Sequence, residues 1–302
     1  AVGDPAARFE EDPLRILRMV RFGPASGRDV EEDTLRAARS LAGKLKSVSA
    51  ERVQLELRKI VSSPHAAQAL RFMANHSLLP NTLPELLPCI GFEQNRYHTQ
   101  DVFEHTLSVL ENCAREGLLR WVALFHDVRK PESLSVGEDG ERHFYEHEFI
   151  SERECKRALK RLRFSNEDQE AVALLVRTHM RPLECGPPGV RRLMRDLGEL
   201  FETWRAFKIA DASPTMPKSE FDERLGRFDE LVAKERERLE RENAPGLAIG
   251  GDDLINLGLK PGPIMGKILK ALEEAVLDEP ALNERPILIE RAKQLIQTHA
   301  SS

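Results

Sequence analysis

The sequence predicts an all-α protein. Leu, Ala, Glu and Arg dominate its 302 residues, and all four are good helix formers. Aromatic residues make up only 6% of the chain, and the alternating β-branched runs that indicate strands are scarce. The hydrophobic fraction of 41% suffices for packed cores, so we expect two domains or one extended protein of several parts.

The first part, residues 1–62, is predicted to be a small helical neck. Asp12 is expected to cap its first helix, with Pro13 at the first helical position, where no backbone donor is needed. Arginines recur every three residues and give this helix a basic edge: Arg15, Arg18 and Arg21. Two more helices are expected, near 31–42 and 49–61.

Three further parts follow the neck. Residues 63–97 are rich in Leu and punctuated by Pro, which indicates a packed helical connector. Residues 98–215 are expected to form a helical bundle, interrupted by a loop or short hairpin at 135–145. Its helices are predicted near 99–114, 118–128, 145–162, 167–178 and 189–212. Residues 216–302 are predicted to form a C-terminal helical body and tail.

Composition narrows the classes of protein and partner. The net charge of −5 does not indicate a nucleic-acid-binding protein, although basic residues also cluster at 156–163 and 190–195. No apolar run approaches the roughly 20 residues needed to span a membrane, and no signal peptide is recognised. None of the four cysteines lies in a CxxC pair, which indicates reduced thiols in a cytoplasmic protein with no membrane partner.

Six potential metal ligands lie within about a hundred residues, and four of them fall in otherwise apolar helical runs. They are His105, His126, Asp127, His147, His179 and Asp211. A buried polar group needs a partner, and a divalent ion would satisfy all six. The mixed nitrogen and oxygen donors suit Mn, Fe, Co, Ni, Zn or Mg. Taken singly, each histidine could instead be a hydrogen-bonded core residue. His98 and His143 are weaker candidates, for which an exposed histidine is the alternative.

The segments around these ligands resemble the HD phosphohydrolase superfamily. In order they are HTQDVFEHTLSVL, LRWVALFHDVRKPE, FYEHEFISE, LVRTHMRP and IADAS, covering about 98–213. The resemblance implies an all-α site with one or two divalent ions. One ion would be held by His105, His126, Asp127 and Asp211, and a second would be completed by His147 and His179.

The same resemblance implies a reaction and its catalytic residues. A metal-activated water would attack a phosphoester, with Asp127 at the reacting centre. Lys130 would contact the phosphate. Arg129 stands where the family commonly has a small residue, and this bulky cation would either add a phosphate contact or block the pocket.

A second resemblance covers nearly the whole chain. In bacterial class II tRNA nucleotidyltransferases and poly(A) polymerases, the junction after the catalytic head resembles residues 1–27 and the neck resembles 47–61. The C-terminal body and tail of that family resemble residues 252–278. The resemblance implies that Glu11, Asp12 and Arg15 form an E-D-x-x-R motif. Its Asp and Arg would read the edge of an incoming base by hydrogen bonds. Without the resemblance, Asp12 would be interpreted simply as a helix cap.

The catalytic head of that family, with its Gly-Ser motif and paired carboxylates, is not found in this sequence. The chain is therefore not expected to add nucleotides by itself, and the head would be cut away, encoded elsewhere or lost. The leading hypothesis is a metal-dependent phosphohydrolase acting on 2′,3′-cyclic nucleotides, 2′-nucleotides or terminal RNA phosphates. The alternative is a tRNA-binding module that serves a separate nucleotidyltransferase head and carries a vestigial HD site. A ligand-free scaffold in a homodimer ranks last.

The expected partners are tRNA or other RNA and nucleotides or cyclic nucleotides. Arg18 and Arg21, with the basic clusters at 156–163 and 190–195, are candidates to contact the RNA backbone. Such contacts give affinity that depends on salt and not on sequence. The alternative for each cluster is a solvated surface with intrahelical ion pairs.

Overall fold

The computed structural model describes residues 3–94, 100–138, 140–212, 216–242 and 246–300. Helices dominate, and the strands found in those ranges form one short hairpin, so the all-α prediction is confirmed. Within the same ranges, none of the helices combines the length and the apolar character needed to cross a membrane. The chain divides into two compact units: Ala1–Arg181 with Glu199–Lys218, and Pro182–Gly198 with Ser219–Ser302.

The first unit begins with five helices. They are α1 (Pro5–Glu11), α2 (Arg15–Phe22), α3 (Glu32–Leu41), α4 (Ala50–Val61) and α5 (Ala66–Asn75). α2 buries Ile16, Leu17 and Val20 on one side, because side chains three or four residues apart lie on the same face of a helix. α1 packs on α3, and α2 packs on α4 and α5.

The start of the chain differs from the prediction. A helix precedes Asp12: α1 begins after Asp4, whose carboxylate accepts hydrogen bonds from the first turn. Asp12 ends α1 in an extended conformation (φ −146°, ψ 96°), because the ring of Pro13 disfavours helical geometry in the residue before it. α2 then begins at Arg15. Asp12 still accepts a hydrogen bond from the backbone of Leu14, but it lies between two helices.

The rest of the first unit supplies the helices around the predicted ligands. They are α6 (Val102–Asn112), α7 (Leu119–Phe125), α8 (His147–Arg161), α9 (Asn166–Thr178) and α11 (Phe201–Asp211). Between α7 and α8, β1 (Leu134–Val136) and β2 (Arg142–Phe144) form an antiparallel hairpin in which Ser135 lies opposite His143. The hairpin falls in the segment predicted to be a loop or short hairpin.

The single helix predicted at 189–212 is wrong. The structure has two helices there, α10 (Pro187–Leu197) and α11, and they belong to different units. Gly198 ends α10 with a positive φ of 51°, which glycine adopts at little cost. An isolated Gly inside a helical pattern was the available sign of this break.

The second unit contains the remaining helices. They are α10, α12 (Lys218–Glu242), α13 (Gly251–Asn256), α14 (Pro263–Asp278) and α15 (Arg285–Ala300). Its apolar core lies between α13, α14 and α15, and Leu254, Ile268, Leu272 and Leu288 are fully buried there. Burial of this apolar surface holds the three helices together.

Candidate metal centre

Helix packing brings the six predicted metal ligands to one place. α7 is the central element, because residues 120–125 are all buried and α6, α8, α9 and α11 contact it. Five of the six ligands are buried, and Asp211 exposes 21% of its side chain. They are His105 within α6, His126 and Asp127 after α7, His147 at the start of α8, His179 after α9 and Asp211 at the end of α11.

His105, His126 and Asp211 form a first triad, whose ligand atoms lie within 4.8 Å of one another. The Nε2 atom of His105 is 3.3 Å from Asp211 Oδ1 and 3.3 Å from His126 Nε2. The distance from His126 Nε2 to Asp211 Oδ1 is 3.6 Å. Two imidazoles and one carboxylate at this separation suit a divalent transition metal.

Asp127, His147 and His179 form a second triad with the same limit of 4.8 Å. Asp127 Oδ1 is 3.1 Å from His147 Nε2 and 3.6 Å from His179 Nε2. The two Nε2 atoms are 3.2 Å apart. The second triad therefore has the same kinds of metal ligand as the first, two imidazoles and one carboxylate.

Asp127 connects the two triads. Its Oδ1 atom faces the second triad, while its Oδ2 atom lies 3.2 Å from His126 Nε2 and 3.7 Å from His105 Nε2 in the first. One carboxylate with an oxygen directed at each group of ligands fits a residue that bridges two cations. Its place directly after His126 is what allows α7 to serve both triads.

Backbone hydrogen bonds fix the tautomer of three of the histidines. The Nδ1 atoms of His126, His147 and His179 lie 2.8, 2.7 and 2.6 Å from the carbonyl oxygen three residues earlier. A carbonyl only accepts, so each Nδ1 must carry the proton. In the neutral ring the Nε2 lone pair then faces the centre, which is the arrangement that metal-binding histidines use.

The second triad consequently has three acceptors and no donor of its own. When both rings are neutral, the Nε2 lone pairs of His147 and His179 face each other beside Asp127 Oδ1. Such a buried arrangement is unfavourable unless a cation lies between the acceptors. Burial lowers the pKa of His179, so a proton is disfavoured there. The residues therefore fit a divalent ion.

Both carboxylates of the centre are held in the ionised form. Burial raises the pKa of Asp127, but the positive charges of His126 and Lys130 outweigh this effect and hold the pKa well below its usual range. Burial likewise raises the pKa of Asp211, and His105 and His126 overcome this effect. Ionised carboxylates are the form in which Asp binds metals.

The two cations after the His-Asp pair have different surroundings. Lys130 Nζ donates to Asp127 Oδ2 at 2.7 Å and to Gln94 Oε1 at 2.8 Å, so it lies directly beside the bridging carboxylate. The guanidinium of Arg129 pairs with Glu132 and, at 2.9 Å, with Glu154. Arg129 is thus held by two acids and not by the ligands of the triads.

Two residues that support the centre escaped the sequence analysis. Lys208 Nζ donates to the carbonyl of His179 at 2.9 Å, and Trp204 Nε1 donates to the carbonyl of Thr178 at 3.0 Å. They satisfy carbonyls at the end of α9 and so help to hold His179 in place. Lys208 lies three residues before Asp211, on the same helical face, and this spacing was the available signal.

In the neck, the predicted base-reading residues are each held by an ion pair. Glu11 accepts from Arg15 at 2.7 Å, and Asp12 accepts from Arg52 of α4 at 3.1 Å. Arg15 also lines a cleft of about 600 Å³. Arg52 was not predicted, because nothing in the sequence pairs it with Asp12 forty residues earlier.

The predicted RNA-binding arginines converge on a buried acid. Arg18 and Arg21 lie 3.4 and 3.1 Å from the carboxylate of Glu56, which is only 4% exposed. Arg18 remains 43% exposed and Arg21 23% exposed. Glu56 lies three residues after Val53 on the apolar face of α4, so an acid in that pattern was the available signal.

Ion pairs also occupy much of the other two basic clusters. In 156–163, Lys156 pairs with Glu170 and Arg161 pairs with Glu85, each at 2.8 Å. In 190–195, all three arginines contact acids, and the partners are Glu235, Glu274 and Asp278 with Asp196. These clusters therefore present less free positive charge than their sequence indicates.

Of the two weaker histidine candidates, His98 lies outside the described residues. His143 is in β2, where its ring stacks on that of Tyr145. Neither triad includes His143.

Two family models match the chain. Residues 28–90 match the "Probable RNA and SrmB-binding site of polymerase A" family. Residues 146–292 match the family described as tRNA nucleotidyltransferase domain 2. The first covers most of the neck and connector, and the second begins just before His147.

Known proteins of the same type match over most of the chain. The A-adding tRNA nucleotidyltransferase of Deinococcus radiodurans is 34% identical over 87% of this chain and 64% of its own length. A multifunctional CCA protein of Stenotrophomonas maltophilia is 31% identical over 89% of this chain and 68% of its own length. The chain thus spans just under two thirds of the Deinococcus protein.

A solved structure has a similar fold. The CCA-adding enzyme of Bacillus stearothermophilus, crystallised in complex with CTP, aligns with all of this chain and 66% of its own, with a TM-score of 0.61. The sequences are 20% identical, so this likeness concerns the fold.

The comparisons correct the predicted class of enzyme. The prediction put phosphohydrolysis in place of nucleotidyl transfer, and this is wrong, because the relatives are tRNA nucleotidyltransferases. The prediction depended on the absence of the head motifs from this sequence. The match to a tRNA nucleotidyltransferase over 87% of the chain is stronger evidence than that absence.

The second resemblance found in the sequence is therefore confirmed at the level of the family. Relatives above 30% identity, two family models and a matching helical fold agree with one another. The chain belongs to the family of CCA-adding tRNA nucleotidyltransferases.

Proposed function

We propose that this chain is the tRNA-binding and nucleotide-binding helical part of an enzyme that adds nucleotides to the 3′ end of tRNA. The observation that carries this proposal is the match to an A-adding tRNA nucleotidyltransferase over 87% of the chain. A relative named CC-adding and several named CCA-adding support it. The proposal includes a cytoplasmic location, in keeping with four free cysteines.

In this proposal Asp12 and Arg15 read the edge of the incoming base. Asp12 offers acceptors and Arg15 offers donors, and both are oriented by partners, Arg52 and Glu11. The test is the binding of CTP and ATP by calorimetry. Asp12→Ala or Arg15→Ala should weaken both by roughly tenfold or more. Binding of tripolyphosphate, which has no base, should not change, and Glu10→Ala is the matched control.

Arg18 and Arg21 are proposed to contact the tRNA backbone. Replacing either arginine with Ala should reduce the slope of log affinity against log salt concentration by about one, which corresponds to one phosphate contact. Arg36→Ala is the control, because Arg36 is an exposed arginine in an intrahelical pair with Asp33. A tRNA affinity indifferent to salt, or equal effects of all three variants, would remove this part of the proposal.

A second candidate function belongs to the metal centre, in addition to nucleotidyl transfer and not in place of it. It is hydrolysis of phosphoesters such as 2′,3′-cyclic nucleotides, 2′-nucleotides or terminal RNA phosphates, as in HD proteins. The specific observation in its favour is Asp127, which directs one oxygen at each triad. Two divalent ions, from among Mn, Ni, Co, Mg, Fe and Zn, would neutralise phosphoryl oxygens and lower the pKa of a bound water. Lys130, beside Asp127, is suited to orient the phosphate.

The test compares metal content and hydrolysis of 2′,3′-cyclic AMP. The wild-type chain reconstituted with Mn or Ni should hydrolyse it, and Asp127→Ala should not. Lys130→Ala should keep the metal and lose activity, whereas Lys156→Ala, a lysine exposed on α8, should change neither. Metal binding without hydrolysis under every ion would reject the reaction and keep the ion site.

A further inference from the structure

The surface beside the second triad carries a stacked pair of aromatic side chains. The rings of His143 and Tyr145 have centroids 5.2 Å apart and planes inclined by 14°. Tyr145 is 70% exposed, which is unusual for a large aromatic residue. These two residues are called the aromatic platform below. Neither contributes a ligand to the triads.

The aromatic platform is tied to the metal centre through the backbone. Phe144, between its two members, accepts the Nδ1 proton of His147 on its carbonyl at 2.7 Å. Its ring lies 5.7 Å from Lys130 Nζ. Tyr145 and His147 are two residues apart, so their Cα atoms are separated by at most about 7 Å. The aromatic platform is therefore within the reach of a single nucleotide from the second triad.

Backbone strain marks the connection between the aromatic platform and the centre. Glu146, between Tyr145 and His147, has a left-handed conformation with φ of 60°. A residue with a Cβ atom rarely adopts this conformation, and such outliers cluster at binding sites, where the surroundings enforce them. The conformation turns the chain directly from the hairpin into α8.

Further apolar side chains are exposed within two residues of the second-triad histidines. Phe149 is 41% exposed and lies two residues after His147, and Met180 is 55% exposed and follows His179. The guanidinium of Arg177 lies 5.2 Å from the ring of Phe149. Phosphate ions and metal ions gain nothing from such surface, whereas a nucleobase does, since its faces stack on aromatic rings.

We propose that the aromatic platform binds the base of a nucleoside phosphate whose phosphate lies at the metal centre. This inference rests on the proposed ion site and adds a base-binding subsite to it. Stacking tolerates every base, so the platform selects nucleotides over simple phosphates without selecting among bases.

The test uses the full chain loaded with Mn and measures affinity for inorganic phosphate, ribose 5-phosphate and AMP by calorimetry. AMP should bind roughly tenfold or more tighter than ribose 5-phosphate. Tyr145→Ala should remove most of that gain and leave phosphate binding unchanged, whereas Tyr145→Phe should keep it. Val136→Ala is the matched control, because Val136 is an exposed apolar residue of the same hairpin.

Equal affinity for AMP and ribose 5-phosphate in the wild type would overturn the aromatic platform, as would an undiminished gain in Tyr145→Ala. In both cases inorganic phosphate would still bind, and the ion site would stand. Failure of the chain to take up Mn would reject the proposed ion site, and failure of phosphate to bind the Mn-loaded chain would reject phosphate binding at that site; either result would overturn the platform as well.

Discussion

The metal centre and the neck both collect charged side chains, but they do so in different environments. At the centre, Asp127 is 2% exposed and His147 is 2% exposed, and the polar atoms face one another in an apolar bundle. In the neck, Arg15 and Arg18 keep 37% and 43% of their side chains in solvent. Buried polar groups must be satisfied by specific partners, whereas exposed charges can also rely on water.

This difference explains which predictions could be made from sequence. A histidine or aspartate within an apolar run is a conspicuous exception to the pattern, so four of the six centre residues stood out, and the six together indicated a metal site. An arginine on a solvent-exposed helix is common, and the sequence does not show which distant residue it pairs with in the folded chain. Substitutions at the centre are therefore expected to change ligand binding and stability more than substitutions in the neck.

The largest effect is expected from Asp127, which contacts both triads. Asp127→Asn should reduce the metal content of the Mn-loaded chain from two ions to none, because both groups of ligands lose a charged oxygen. Asp211→Asn should remove the ion of the first triad only. Elemental analysis after gel filtration measures both, and circular dichroism checks the fold. Equal loss in the two variants would break the assignment of Asp127 as the shared ligand.

Metal binding should also stabilise the first unit. An ion that binds only the folded chain adds about 2.7 kcal/mol at a free concentration one hundred times its Kd. Thermal unfolding followed by circular dichroism should therefore shift upward with Mn and return with a chelator. The Asp127→Asn variant should show no shift. A shift of the same size in that variant would place the stabilising ion elsewhere.

In the neck, the strongest effect is expected at Glu56. Glu56→Ala leaves Arg18 and Arg21 without their shared acid, at a cost of roughly 1–3 kcal/mol in the free energy of unfolding. Urea denaturation measures this cost. Glu51→Ala on the exposed face of the same helix is the control and should change stability by less than about 0.5 kcal/mol. Equal losses in the free energy of unfolding for the two variants would mean that the burial of Glu56 does not contribute to stability.

The smallest effect on stability is expected at Arg52. Its contact with Asp12 is an exposed ion pair, so Arg52→Ala should cost less than about 1 kcal/mol in urea denaturation. The same variant should nevertheless weaken CTP binding severalfold, since Asp12 loses the partner that orients it. A large loss of stability would instead show that this ion pair stabilises the neck as strongly as a buried ion pair.

Much of the fold could be predicted, because helical spacing and caps are local. α3, α4 and α8 lie within a few residues of their expected positions. The break at Gly198 was missed because the apolar pattern continues through it, and α1 was missed because Asp12-Pro13 repeats the Asp4-Pro5 signal.

The six ligands were predicted as a group, and the resemblance to HD proteins implied that they divide between two ions. Which oxygen of Asp127 faces which histidine was not predicted, because it is a property of the packed helices and not of spacing. Arg52, Glu56 and Lys208 were missed for the same reason, since each acts through a partner on another helix.

A crystal of this chain soaked in manganese, measured at a wavelength where Mn scatters anomalously, tests the two-ion assignment directly. Two anomalous peaks are expected on either side of Asp127, one contacting His105, His126 and Asp211 and the other contacting His147 and His179. A map without a peak at either triad, from crystals in which Mn binds elsewhere, would contradict it.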